Sequence, residues 1–380
     1  MRSAWLAVAV IACSSTPALD PAVLQMNDLS VLLPLPRTQA ELAAALAPAT
    51  MGRGGELVPR TTFETATVFL TYDRFRATAF RVDPCFGHVG EITDPTTCHG
   101  QLRLVFQPVA VGTTDDIAVH AFYALTGDEV LALVGELAAA RRDDGITTDL
   151  GPLAVHPILA SEGLDGPFAH AFDQIVTRYA GAANLERLNT FAIEEIDVSQ
   201  GFVASQTWTF TSFDTLGTPA PRPIPTIANG PNEMTLTTDL APLIATSDPA
   251  TSAHDNLAVL ANMTMATSAS SGTREAALDA ALRIESPTFH SPETIDCASC
   301  HLARAAIELV GEPLGLDEDR DAAFAASDAI PGRDLARTTS LTGNDRGLNI
   351  HAFSYRLAEP MINQRTINET AANLAYFASH

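Results

Sequence analysis

The feature that most restricts this chain is the run Cys297-Ala298-Ser299-Cys300-His301. It reads C-x-x-C-H, the attachment pattern of a c-type haem. Two thiols at i and i+3 share one face of a helix, where both can add to the haem vinyl groups. The imidazole beside the second thiol lies on the same side and can ligate iron through a ring nitrogen. Two other chemistries use CxxC. Half of a zinc site would need a second Cys pair nearby, and none follows. A redox-active or structural Cys297–Cys300 disulfide leaves His301 without a role and lacks a thioredoxin-like βαβ setting.

Haem attachment of this kind belongs outside the cytoplasm, and the N-terminus is consistent with export. Met1-Arg2 is a short basic start, followed by an apolar run from Ser3 to Ala12. That run is too short to span a bilayer and has the proportions of a signal peptide. Val10-Ile11-Ala12-Cys13 resembles the lipobox of bacterial lipoproteins. The resemblance implies a lipidated Cys13 as the mature N-terminus and a membrane anchor in the periplasm or cell envelope. An ordinary signal peptide cleaved near Ala18 is the alternative, and it too places the chain in an oxidising compartment.

The 380 residues suffice for two domains or one large one, and 46% hydrophobic content supplies a sizeable core. Formal net charge is −23, and every basic residue is arginine. That balance argues against nucleic acid and anionic membrane surfaces and suits a basic redox partner protein. The absence of lysine also excludes lysine crosslinks and Schiff bases. No run after the N-terminus is long and apolar enough for a transmembrane helix.

Five segments follow: 1–12 signal peptide, 13–60 lipid tether and lead-in, 61–230 an α+β domain with antiparallel strands, 231–289 a helical connector, and 290–380 a mainly α, haem-binding domain. Thr38 to Ala47 is expected to form a helix with a Thr38/Glu41 capping box. Thr65–Tyr72, Ala77–Val82 and Leu102–Val109 read as strands. Cys85 and Cys98 are expected to form a disulfide worth about 3 kcal/mol. The alternative is a zinc site of Cys85, His88, Cys98 and His99. Residues 111–190 read as mainly helical, best at Asp128–Arg142, with His120, His156 and His170 as core or capping histidines. Thr207–Thr211 alternates as a half-buried strand, and Pro219–Pro231 marks a boundary. Ala253–Met265 and Arg274–Ile284 read as helices. No G-x-S-x-G, P-loop or H-E-x-x-H occurs.

Around the thiols, Asp296 is an expected N-cap for a helix from Cys297 to about Val310, stopped by Gly311 and Pro313. A terminal helix follows, with Thr366 and Glu369 as its capping box. Cys297, Cys300 and His301 on a first helix, Gly311-Glu312-Pro313-Leu314-Gly315 after it, Met361 before the last helix and the Leu374–Phe377 tail together resemble a class I c-type cytochrome. The resemblance covers residues 290–380. It implies one covalent haem c, His301 as one axial ligand, Pro313 orienting that imidazole through its carbonyl, and Met361 as the second axial ligand. The sequence departs from the pattern in that Met361 follows a proline, and residues 317–350 are acidic and loop-like. His351 and His290 are the alternative sixth ligands. The expected role is an electron-carrying monohaem protein; a haem enzyme such as a peroxidase, or a haem-based binding or sensor module, are the alternatives.

Overall fold

The computed structural model describes residues 24–66, 71–84, 99–145, 151–195, 205–222, 224, 233–239, 244–246, 255–290, 295–317, 335–342 and 348–379. The signal-peptide and lipidation readings at residues 1–13 lie outside the described residues. So does the Cys85–Cys98 disulfide, and with it His88 and the zinc alternative.

A ten-stranded antiparallel sheet organises the molecule, giving a mixed α+β fold. Its main path runs through β1 (Ser30–Leu32), β4 (Phe75–Asp83), β5 (Gly100–Ala110), β7 (Ala118–Leu125), β8 (Leu185–Glu195), β9 (Ser205–Asp214), β11 (Glu233–Asp239) and β12 (Ile244–Thr246). Short strands β6 (Thr113–Thr114) and β10 (Ala220–Pro221) pair with β5 and β9. A separate small hairpin joins β2 (Met51–Gly52) to β3 (Gly55–Glu56). Ordinary strand chemistry explains the centre: β4, β5 and β7 are rich in Val, Phe, Tyr and Leu, and alternate residues turn to opposite faces.

One face of the sheet is covered by α4 (Gly127–Asp143) and α6 (Pro167–Tyr179), with α5 (Pro157–Glu162) between them in sequence. Thr126 and Glu129 form the capping box that starts α4. Phe80 meets Phe172 of α6 edge-on at 5.2 Å. His156 caps α5 through Nδ1 and stacks on Phe168 at 5.0 Å, as a capping core histidine, whereas His170 is exposed.

The N-terminal residues from Leu24 onward pack into this body. Helix α1 (Met26–Leu29) packs on α4, where Asp28 pairs with the fully buried Arg141 at 2.8 Å. Leu29 and Leu32 are fully buried, and β1 extends the sheet edge. Thr38 caps α2 (Gln39–Ala44) as expected, although the Glu41 side chain goes to Arg37 instead of back to Thr38. Of the strand read at Thr65–Tyr72, residues 67–70 lie outside the described residues; α3 (Arg60–Ala66) covers Thr65 and Ala66, and a single 3-10 turn starts at Tyr72. Phe63 packs edge-on against both Tyr72 and Phe75. Residues 111–190 also hold more strand than expected, since β7 falls wholly inside them.

The opposite face is covered by the C-terminal elements: α8 (Ser271–Glu285) after a short α7 (Met263–Ser268), then α9 (Cys297–Ala306), the hairpin β13 (Phe353–Arg356) and β14 (Glu359–Ile362), and α10 (Gln364–Ser379). These elements are not set apart from the sheet. Gln107 of β5 exchanges two hydrogen bonds with the Tyr355 backbone, at 2.7 and 3.0 Å. The Tyr355 hydroxyl donates to Leu33 O at 2.7 Å, and Asn373 donates to Val82 O at 2.9 Å. The buried apolar side chains form one continuous core from Leu24 to Phe377. The separation into a 61–230 domain and a 290–380 domain is therefore not seen. Helix α10 also starts earlier than Thr366: Asn363 Oδ1 accepts from Thr366 N at 2.8 Å and caps it, while Glu369 is drawn into ion pairs.

Candidate functional site

Helix α9 begins where the sequence places it. Asp296 is fully buried; its Oδ1 accepts from Ser299 N at 2.8 Å and its Oδ2 from the Ser299 hydroxyl at 2.6 Å. Ala298, Leu302, Ala305 and Ala306 are fully buried, and Arg304 ties the helix to Glu285 of α8. Burial of that face leaves Cys297, Cys300 and His301 on the half-buried side of α9. After Ala306 the helix widens into one π-turn, Ile307–Gly311, and then a 3-10 turn, Glu312–Leu314.

Cys297, Cys300 and His301 line one pocket of about 100 Å³ between α9 and the sheet. That is room for several waters. The sheet supplies Arg103 and Val105 from β5, His120 and Phe122 from β7, Arg187, Asn189 and Phe191 from β8, and Phe210 from β9. Their alternation and register place them on one face: Val105 pairs with His120, and His120 with Asn189. Ala352, Phe353, Arg365 and Glu369 close the rim.

In a chain of net charge −23, four arginines (Arg81, Arg103, Arg187 and Arg365) meet here. Arg81 pairs with Asp83 at 2.6 Å and Glu369 at 2.5 Å, and Arg103 approaches Asp83 at 3.3 Å. Arg365 pairs with Glu369. Arg103 and Arg187 both lie over the Phe122 ring, at 4.6 and 4.1 Å. The pocket thus has an apolar aromatic floor and a cationic wall.

His301 is held in a defined state. Its Nδ1 lies 2.7 Å from Ile350 O, and a carbonyl can only accept. Nδ1 therefore carries the proton, and Nε2 keeps its lone pair for a metal. Burial pushes the imidazole pKa down to about 4, against a smaller upward pull from the Ile350 carbonyl. The ring is neutral at ordinary pH. Phe191 stacks on it at 5.7 Å, and Phe210 leans against it at 5.1 Å. Cys297 and Cys300 are free thiols. Burial raises both, Cys300 to about 11. Among the described residues no group of three or more His, Cys, Asp or Glu is arranged to hold a metal ion by itself. Two thiols and one neutral imidazole line one aromatic pocket, whose present volume is smaller than a porphyrin.

The expected orienting group differs. Pro313 is exposed in its 3-10 turn, and Ile350 O holds His301 in its place. Nor does the pocket lining include any of the three expected sixth ligands. Met361 is buried on β14, where Thr339 Oγ1 lies 3.5 Å from its sulfur. His351 has Nδ1 3.1 Å from Asn349 Oδ1; its Nε2 is 3.0 Å from Asp116 Oδ1, an ion-pair distance at an angle too bent for a hydrogen bond. Phe191 touches both His301 and His351. His290 Nε2 bonds Asp255 Oδ2 at 2.9 Å. His99 sits outside the pocket lining, 2.7 Å from Glu186.

Sequence reasoning missed the sheet side of the site. His120, Arg103, Arg187 and Asn189 carry no local motif. Only the alternation of Val119-His120-Ala121-Phe122, with Val119 and Ala121 fully buried on the other face, hints that His120 faces elsewhere. No helix among the described residues is long and apolar enough to cross a membrane. No family model, no curated protein and no solved structure matches this chain.

Proposed function

We propose that the chain is an exported, lipid-anchored monohaem protein of c type that carries electrons, with the haem between α9 and the sheet. Cys297 and Cys300 hold the porphyrin through thioether bonds, and His301 Nε2 ligates the iron. The observation that carries this reading is the bond from His301 Nδ1 to Ile350 O, with both sulfurs in the same pocket. It fixes the tautomer that ligation needs. The haem supplies a one-electron couple; the surrounding polarity and ligands set its potential.

Other features support the same reading. The Arg103 and Arg187 wall suits the propionate carboxylates. Cys297 and Cys300 keep partial exposure, which leaves the thioether edge near the surface, where electrons pass to a partner. A porphyrin is larger than the present opening, so its insertion parts His301 from Phe191 and Phe210. On this reading the likeness to class I cytochromes is limited to the Cys297–His301 pattern and the terminal helix of the sequence. Export and lipidation rest on the Val10–Cys13 pattern, and the acidic surface suits a basic redox partner.

Covalent attachment is the test. Protein exported from a host with haem-attachment machinery should keep its haem stain after denaturing electrophoresis. The stain should vanish in the Cys297→Ala/Cys300→Ala double variant. Complete extraction of haem from the wild type by acid–acetone refutes the proposal.

A further inference from the structure

We propose that the pocket between α9 and the sheet, at its present size, binds a small organic carboxylate with an apolar tail of about three carbons. This goes beyond the haem reading and does not rest on it, because it concerns the chain without haem.

The sheet builds a patterned wall here. Strand register sets Arg103, Phe122 and Arg187 side by side across β5, β7 and β8. Two positions along, Val105, His120 and Asn189 form a second row, and both rows line the pocket. Arg103 and Arg187 thus flank one aromatic ring, and both guanidinium groups lie over it.

The charges around this wall do not cancel. Four guanidinium groups line the pocket, on Arg81, Arg103, Arg187 and Arg365, with the carboxylates of Asp296 and Glu369. Asp83 adds a third carboxylate beneath them. Four cations against three anions leave one positive charge. All three carboxylates are already engaged: Asp296 by Ser299, Glu369 by Arg81 and Arg365, Asp83 by Arg81 and Asn373.

Arg103 is the least compensated of the four. Among the described residues its one hydrogen bond is a long one, 3.3 Å to Asp83 Oδ2, and its buried Nε has none. Burial holds its pKa below the ordinary arginine value, and Arg81 pushes the same way against the pull of Asp83. Buried donors are normally paired, and a desolvated guanidinium short of acceptors is relieved by an anion. Asn189 adds to the donor side. The Ser212 hydroxyl donates to Asn189 Oδ1 at 2.7 Å, which leaves the NH2 group of a residue that lines the pocket.

The class of anion follows from shape. A planar carboxylate matches a guanidinium fork through two N–H bonds. Phe191 and Phe210 offer apolar contact to a short tail, which sulfate and phosphate lack. A volume of about 100 Å³ admits such a molecule where it is too small for a porphyrin.

The experiment titrates the full-length chain, produced without haem-attachment machinery, with butyrate by calorimetry at constant ionic strength. Butyrate should bind one to one at millimolar or lower concentration, and sulfate should bind about tenfold more weakly. Arg103→Gln and Asn189→Leu should each weaken butyrate binding by about tenfold or more, with unchanged circular dichroism. Asn189 is half-buried, so its variant keeps a readout if Arg103→Gln does not fold. Arg60→Gln, on the exposed side of α3, removes the same charge outside the pocket and should bind as the wild type does. The absence of saturable butyrate binding overturns the proposal. So does equal affinity for sulfate, or an Arg60→Gln loss as large as that of Arg103→Gln. Absence of covalent haem from exported protein refutes the haem reading and leaves this proposal standing; retention of haem with any failure above refutes this proposal alone.

Discussion

Glu369→Gln isolates the ion network beneath the pocket. Glu369 on α10 is 5% exposed. One carboxylate oxygen lies 2.5 Å from Arg81 Nη1, and the other hydrogen-bonds Arg365. Both guanidinium groups are buried, with side chains 5% and 3% exposed. Removing one partner of such a group costs roughly 3–5 kcal/mol, because the remaining charge stays desolvated. Two features reduce that here. Arg81 keeps Asp83 at 2.6 Å, and Arg365 keeps the Ile284 and His290 carbonyls. A loss of about 3 kcal/mol is expected, read as a lower urea midpoint at constant slope. Because the pairs are shielded from solvent, the loss should persist in 1 M salt. Adding Arg365→Met should restore part of it, since the stranded cation goes with the carboxylate. A loss under about 1 kcal/mol, or one that disappears in salt, would refute the buried-network account.

Two further outcomes concern stability. Burial raises the Asp173 carboxyl on α6 from 3.8 to about 7. A raised acid favours the protonated fold, so this group's contribution is most favourable below pH 3.8 and worsens until about pH 7. Asp173→Asn should therefore stabilise by about 1–2 kcal/mol at pH 8 after allowance for residual solvent contact, with the gain shrinking toward pH 4; a pH-independent gain in urea titrations counts against this. Leu357, in the two-residue turn between β13 and β14, has φ of +51°. Leu357→Gly should relieve that left-handed strain and raise stability by about 0.5–1 kcal/mol in thermal melts; destabilisation would show that the leucine side chain matters more than its backbone.

Local chemistry was legible in the sequence. Asp296 as a cap, the alanine and leucine stripe of α9, and the convergence of both thiols with His301 all depend on contacts within a few residues. Long-range geometry was not. Ile350 displaces Pro313 as the partner of His301 through a backbone carbonyl, an atom every residue offers. His120 acquires its position from the pairing of β7 with β5 and β8, two strands that no periodicity in residues 111–190 brings together. The expected boundary at Pro219–Pro231 falls mostly outside the described residues, and the core continues past it, because α10 returns to β4.

That return has a consequence for the order in which the molecule is assembled. Ser30 and Thr370, 340 positions apart, share a hydrogen bond, and the pocket takes walls from β4 and β5 as well as from residues 352–369. A chain emerging N-terminus first presents Cys297–His301 before the last strands and α10 have followed. On the haem proposal, covalent chemistry on the thiols would belong to that interval, while they are still accessible. Once α10 docks, the same contacts that complete the fold close the rim over the site. Loading and folding would then be competing clocks on that proposal, with faster docking of α10 lowering the yield of loaded protein.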